Sequence, residues 1–116
     1  MAAYNATSPA ALAPGESITL SNASLGASVL TQQVGIGPVN GYNDVLTLFN
    51  YSAVALTVNV SPDDANQASY LPLKSTDGLV ALTCAANSAI SFTTSAAFVA
   101  IGVASDPGAT NIILSR

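Results

Sequence analysis

The chain has 116 residues, half of them hydrophobic and only 7% charged, against about 25% charged in an average domain; this is one domain, too apolar to be disordered. Its only cations are Lys74 and Arg116 and its net charge is −4, which excludes nucleic-acid binding and polybasic membrane attachment, since both need several cations against phosphate. No apolar run approaches the roughly 20 residues of a membrane-spanning helix.

Residues 1–16, MAAYNATSPAALAPGE, are rich in Ala, Ser and Pro and show no apolar period. They have neither the cationic start nor the continuous apolar core of a secretory leader. Pro9 and Pro14 favour an extended path. The segment reads as an N-terminal arm, either docked on a neighbour or frayed, with the folded domain running from 17 to 116.

The first strand is expected at 17–21 with Ile18 and Leu20 inward, the second at 28–34. The loop 35–41 carries three glycines, but the helix start and lysine of a phosphate cradle do not follow it. Residues 44–60, DVLTLFNYSAVALTVNV, read as two strands joined by a polar turn at 50–53. Val54, Leu56, Val58 and Val60 point one way and Ala55, Thr57 and Asn59 the other, the period of a half-buried strand. The expected arrangement is an antiparallel hairpin.

A turn-rich loop follows at 61–67, then a short strand marked by Tyr70, Leu71 and Leu73, which Pro72 confines to an edge or bulge. Asp77-Gly78 is a turn signal. Strands at 79–84 and 89–94 are expected to form a second hairpin, turning at 85–88. The apolar strand 98–104 puts Val99, Ile101 and Val103 on one face, and Asp106-Pro107-Gly108 turns the chain into a last strand at 110–115 with Ile112 and Leu114 on one face. Eight or nine short strands at regular spacing, with no helical stretch, predict an all-β fold: a single antiparallel β-sandwich, jelly-roll or immunoglobulin-like.

Chemistry is hard to find. The chain has no histidine, which removes the Ser-His-Asp and Cys-His nucleophile arrangements and the usual zinc sites. The single cysteine, Cys84, cannot form an intrachain disulfide, and it continues the Val80, Leu82 alternation as a small buried hydrophobe. The acidic residues are Glu16, Asp44, Asp63, Asp64, Asp77 and Asp106; most sit at turns, where Asp bonds the local backbone. A paired-carboxylate glycosidase and a calcium site on Asp63 and Asp64 compete with that role, but neighbouring carboxylates rarely converge on one point. The expectation is no enzyme activity, no metal and no cofactor.

Asn-x-Ser/Thr triplets begin at Asn5, Asn22, Asn50 and Asn59; in a chain this rich in Asn, Ser and Thr, chance accounts for them better than glycosylation. Tyr4, Tyr42, Tyr51 and Tyr70 fall in loops or at strand ends. Tyrosine there serves sugar stacking or a protein interface, and with Pro9 and Pro14 these residues form the candidate interface set. The near-absence of charge fits that choice, because hydroxyls and amides are less costly to desolvate than charges; a composition bias of the source is the plainer explanation.

LFNYSAVALTVNVSPDDANQASYLPLKSTDG, followed by ISFTTSAAFVAIGVASDPGATNIILS, resembles the small β-sandwich proteins of tailed-phage virions in the order of its parts: strand, polar turn, Val-rich strand, Ser-Pro-Asp loop, Tyr-x-Pro-Leu, then an aromatic strand and a final strand after an Asp/Gly turn. The resemblance covers residues 44–115 and is nearest to the head decoration, or cement, proteins. It implies a non-enzymatic virion protein on the capsid surface, made in the host cytoplasm, binding the major capsid protein and bracing capsomer junctions, as a homo-oligomer with a trimer favoured. The low charge departs from many such surface proteins and leaves a tail or head-fibre location open. A carbohydrate-binding β-sandwich, using the tyrosines with Asp63 and Asp64, is the other alternative.

Overall fold

The computed structural model describes residues 10–20, 29–30, 33–36, 44–64, 67–75, 78, 80–94, 96–103 and 112–116. They form two β-sheets around one core and no α-helix; a single 3-10 turn covers Gln67–Ser69. The first sheet takes β1 (Ala10–Ala11), β3 (Val29–Leu30), β4 (Val34–Gly35), β6 (Leu56–Ser61), β7 (Leu71–Pro72), β8 (Thr83–Cys84) and β10 (Phe98–Val103). The second runs in the order β2 (Ser17–Thr19), β11 (Ile112–Ser115), β5 (Asp44–Asn50), β9 (Ser88–Thr94). All pairings are antiparallel except β1 with β4. The chain is an all-β sandwich.

The inward residues are those that alternation selects. Leu56, Val58, Val99 and Ile101 from the first sheet meet Leu46, Leu48, Ile112 and Leu114 from the second, each fully buried. β3 and β4 both pair β10, Leu30 opposite Gly102 and Gly35 opposite Phe98, in registers that differ by one residue. The expected strand at 28–34 is therefore two short pieces on the same neighbour, with residues 31 and 32 outside the described set. Pro72 sits in an edge strand, as its missing N–H requires. Gly78 has φ +75 and donates its N–H to Ser75 O at 2.8 Å; Asp77, like the expected turn at 106–108, is outside the described residues.

Both expected hairpins are wrong. β5 and β6 belong to opposite sheets, and so do β8 and β9. Residues 51–55 and 85–87 are therefore corners that carry the chain across the sandwich and back. Alternation marks which side of a strand is buried, and a strand facing its neighbour across the core shows the same pattern as one beside it. The Val80, Leu82, Cys84 series also breaks: Val80 is 63% exposed and Cys84 fully buried, because strand pairing with β6 begins only at Thr83.

The boundary after residue 16 also moves. Residues 1–9 are outside the described set, but 10–16 belong to the domain. Ala10 N–H donates to Gln33 O and Leu12 N–H to Gly35 O, both at 3.0 Å, and Leu12 is 2% exposed within the core. Arg116 ties this segment down: Nη1 donates to Leu12 O at 2.5 Å and Ile36 O at 2.9 Å, and its backbone pairs with Gly15 and Glu16. Leu12→Ala is expected to destabilise the isolated domain by about 3 kcal/mol, the usual cost of emptying a buried leucine site. An unchanged urea midpoint would return the segment to the status of a loose arm.

Candidate docking face

On β2, β11, β5 and β9 the residues between the core positions point outward. Their register sorts them into rows across the sheet. One row is Thr19, Ile113, Phe49, Ala89; the next is Ser17, Ser115, Thr47, Ser91; Val45 and Thr93 stand beside the latter. All are exposed or half-buried, and Val45 is 60% exposed. None carries a charge. Within the hydroxyl row Ser17 and Ser115 bond each other, as do Thr47 and Ser91 at 2.9 Å. Such hydroxyls lose little when water leaves, because part of their bonding is internal. The row beside it supplies the apolar area of Ile113 and Phe49.

At the end of this face lies a hollow of about 250 Å³ lined by Phe49, Asn50, Tyr51, Asn87, Ser88 and Ala89. Its floor is the corner between the sheets. Asn50 is 2% exposed; its Nδ2 donates to Val54 O at 2.8 Å, Ala85 O at 3.0 Å and Cys84 O at 3.3 Å, while its Oδ1 accepts from Ser52 N–H and Oγ. Tyr51 stands over the corner, 56% exposed.

The tyrosine set divides. Tyr51 is exposed as an interface anchor should be. Tyr70 is not: it is 7% exposed and its hydroxyl donates to Asp64 Oδ1 at 2.7 Å. It holds the 62–70 loop against Ser61, whose Oγ accepts from Asp64 N–H at 3.0 Å and bonds Ser69 Oγ at 2.8 Å. That arrangement gives a buried phenol its polar partner and leaves little of the ring for another molecule. Pro14 is exposed beside the docked segment; Tyr4, Pro9 and Tyr42 lie outside the described residues.

The carboxylates do not converge. Asp63 is exposed, while Asp64 is 6% exposed, has φ +50, and faces Tyr70 and Gln33 Nε2. Glu16 Oε1 accepts from Ala13 N–H at 2.9 Å. Cys84 Sγ donates to Ser88 O at 3.4 Å, and burial raises its thiol pKa above the ordinary value, which disfavours the nucleophilic thiolate. Of the Asn-x-Ser/Thr triplets, Asn50 and Asn59 are buried and so unsuited to a glycan; Asn5 and Asn22 lie outside the described residues.

No family model, curated protein or solved structure matches this chain. Its surfaces are therefore the functional evidence. Besides the charge-free face, exposed apolar side chains occur on the arm that leaves and rejoins the edge of β6: Leu71 at 65% and Val80 at 63% exposure, with Lys74 between them in sequence. Sequence reasoning missed the face. Its signal was present: from 45 to 49 and from 89 to 93, each outward position is Val, Thr, Phe, Ala or Ser, where solvated strands usually show Lys or Glu.

Proposed function

We propose that the protein is a non-enzymatic structural component of a tailed-phage virion that docks on the assembled major capsid shell through the outer face of its four-stranded sheet. The observation that carries this reading is the absence of charge from a continuous exposed face, in keeping with the depletion of charge at interface cores. The resemblance of residues 44–115 to head decoration proteins supplies the identity of the shell. Four strands of three, four, seven and seven residues span about 350 Å², a little under half of one side of a standard interface. One copy therefore binds weakly, and tight binding comes from several copies acting on a repeated lattice. A tail or head-fibre site would use the same face.

A carbohydrate-binding reading is favoured by one feature, the hollow between Phe49, Tyr51 and Asn87; Asp64, committed to Tyr70, does not belong to it. The discriminating experiment is co-sedimentation with shells from the virion. Thr19→Glu combined with Val45→Glu, both at exposed positions, is expected to lower shell binding by at least about tenfold, since two buried unpaired charges far exceed the 1.4 kcal/mol that tenfold requires, and to leave the thermal midpoint unchanged. Binding that ignores both charges sinks the proposal, and specific retention on a glycan array by the wild type but not by Tyr51→Ala favours the rival.

A further inference from the structure

Sheet edges invite pairing with other chains, and proteins usually blunt them with short strands, proline, bulges or lysine. Here β1 and β7 are two residues long, β7 with Pro72, and β2 is three. β9 is different: it has seven residues, SAISFTT, without proline or charge. Hydrogen bonds fix which of its backbone groups face outward. Leu20 N–H donates to Ile112 O and Arg116 N–H to Glu16 O, so Ile112, Leu114 and Arg116 turn their backbone groups toward β2. In an antiparallel ladder this direction alternates residue by residue. Carried through the registers, Thr47 and Phe49 turn toward β11, and Leu46, Leu48 and Asn50 turn toward β9, where Phe92, Ile90 and Ser88 meet them. Ala89, Ser91 and Thr93 therefore turn N–H and C=O away from β5, and among the described residues no strand pairs with that side.

The opposite sheet extends past this edge. Cys84 of β8 lies over β9, its Sγ donating to Ser88 O. Residues 71–73 and 82–84 run along the edge of β6, with Leu73 N–H on Val58 O and Val58 N–H on Leu82 O. Between them the chain leaves β6 as a ladder, Lys74 opposite Ala81 and Ser75 N–H donating to Val80 O at 2.7 Å. Leu71 stands opposite Val60, on the core side of the sheet. By the period of two, Leu73, Leu82 and Val80 share that side. Their exposure rises outward: Cys84 is fully buried, Leu73 and Leu82 are half-buried, and Leu71 and Val80 are 65% and 63% exposed. Facing this apolar overhang the four-stranded sheet stops at β9, with Ile90 half-buried. Among the described residues, the sandwich is one strand short on this flank.

We infer that this slot takes a fifth strand, supplied by residues 1–8 of a second copy. The added strand bonds Ala89, Ser91 and Thr93 through its backbone and turns alternate side chains toward Leu71, Val80 and Ile90. Those three are apolar, so a charged occupant would be stranded without a partner. Residues 1–8, MAAYNATS, contain no charge, glycine or proline. Ala2, Tyr4 and Ala6 fall on one side of such a strand; Ala3, Asn5 and Thr7 fall on the other, beside the small and hydroxylic residues of the outer face. The segment cannot fill the slot of its own chain. It leads into β1, at the far edge of the other sheet, four strand spacings or about 19 Å from β7. Eight extended residues reach about 26 Å, and nearly all of that is needed alongside β9. Nor can a second copy offer its own β9, because the two overhangs would occupy one space. The contact is therefore head-to-tail, and either closes as a ring or runs on as a chain. It does not require shell docking, and its test contains no shells.

The full-length chain should associate, with a sedimentation coefficient that rises with concentration, and an excess of a synthetic peptide of residues 1–9 should return it to monomer. Leu71→Lys with Val80→Lys changes exposed positions only. It is expected to weaken association at least about tenfold, since each ammonium would be buried against apolar side chains, and to keep the thermal midpoint of the dilute monomer. Ser91→Pro removes an N–H that β5 does not use and should weaken association as much, which separates strand addition from simple apolar contact. A chain that is monomeric at every concentration overturns the inference. So does association that ignores the lysines, the proline or the peptide.

Discussion

Asn50→Ala is expected to cost about 4 kcal/mol, a large share of the roughly 5–15 kcal/mol that stabilises a domain. The side chain joins both crossings between the sheets. Its amide donates to carbonyls at Val54, Cys84 and Ala85, and its oxygen accepts from Ser52 N–H and Oγ. Asn87 N–H closes the unit on Ser52 O at 3.1 Å. Ser52 is fully buried, so the Ala variant leaves polar groups dry and unpaired, at about 1–3 kcal/mol each. Asn50→Asp is expected to be no better, since it turns an acceptor toward three carbonyls. Urea unfolding at constant m-value measures both. A loss below about 1 kcal/mol for Asn50→Ala, within the range of an ordinary surface change, would mean that the corners are held by packing and not by this amide.

The same corner shows what the sequence carried and what it did not. Alternation along 56–60 and 98–103 picks out Leu56, Val58, Val99, Ile101 and Val103, all buried, because the period of two is local; it misses Asn59 and Ala100, buried from the other side. Partnership is not local. Asn50 looks like one polar residue in a turn; its role appears only when Cys84 and Ala85 arrive from more than thirty residues away. Leu12 was illegible for a related reason. A single leucine between alanines and Pro14 has no period to report, and its burial depends on β4 and on the C-terminal Arg116. Tyr70 reads as a surface anchor because tyrosine near a turn is common at interfaces, whereas its partner, Asp64, sits six residues back and turns inward through a left-handed backbone. The docking face is visible in the sequence as composition but not as place: the scarcity of charge belongs to the whole chain, and only the register of β2, β11, β5 and β9 collects its consequence on one surface.

Val58→Asp is expected to unfold the domain outright. Val58 is fully buried on the inner side of β6, opposite Ile101. A carboxylate there has no cation to meet, and burying it unpaired, or protonating it to avoid that, costs about 5 kcal/mol, comparable to the whole stability. The neighbouring Thr57→Asp is the informative comparison. Alternation alone predicts a mild effect, with Thr57 on a solvated side. The structure narrows the gap: Thr57 is half-buried, and Asn59 and Ser61 on the same side are buried. Thr57 Oγ1 donates to Gly102 O at 3.4 Å, and a Cβ on Gly102 would come within 2.4 Å of that oxygen. A carboxylate at 57 loses the donor and faces the Gly102 carbonyl, but it gains Asn59 Nδ2, which already lies 3.4 Å from Oγ1. The expected cost is about 1–2 kcal/mol. Circular dichroism during urea unfolding separates the two: Thr57→Asp should keep a cooperative transition at a lower midpoint, while Val58→Asp should show none. Equal loss of the transition in both would mean that this sheet is sealed on its outer side as tightly as on its inner one, and the docking surface would then be confined to the four-stranded sheet.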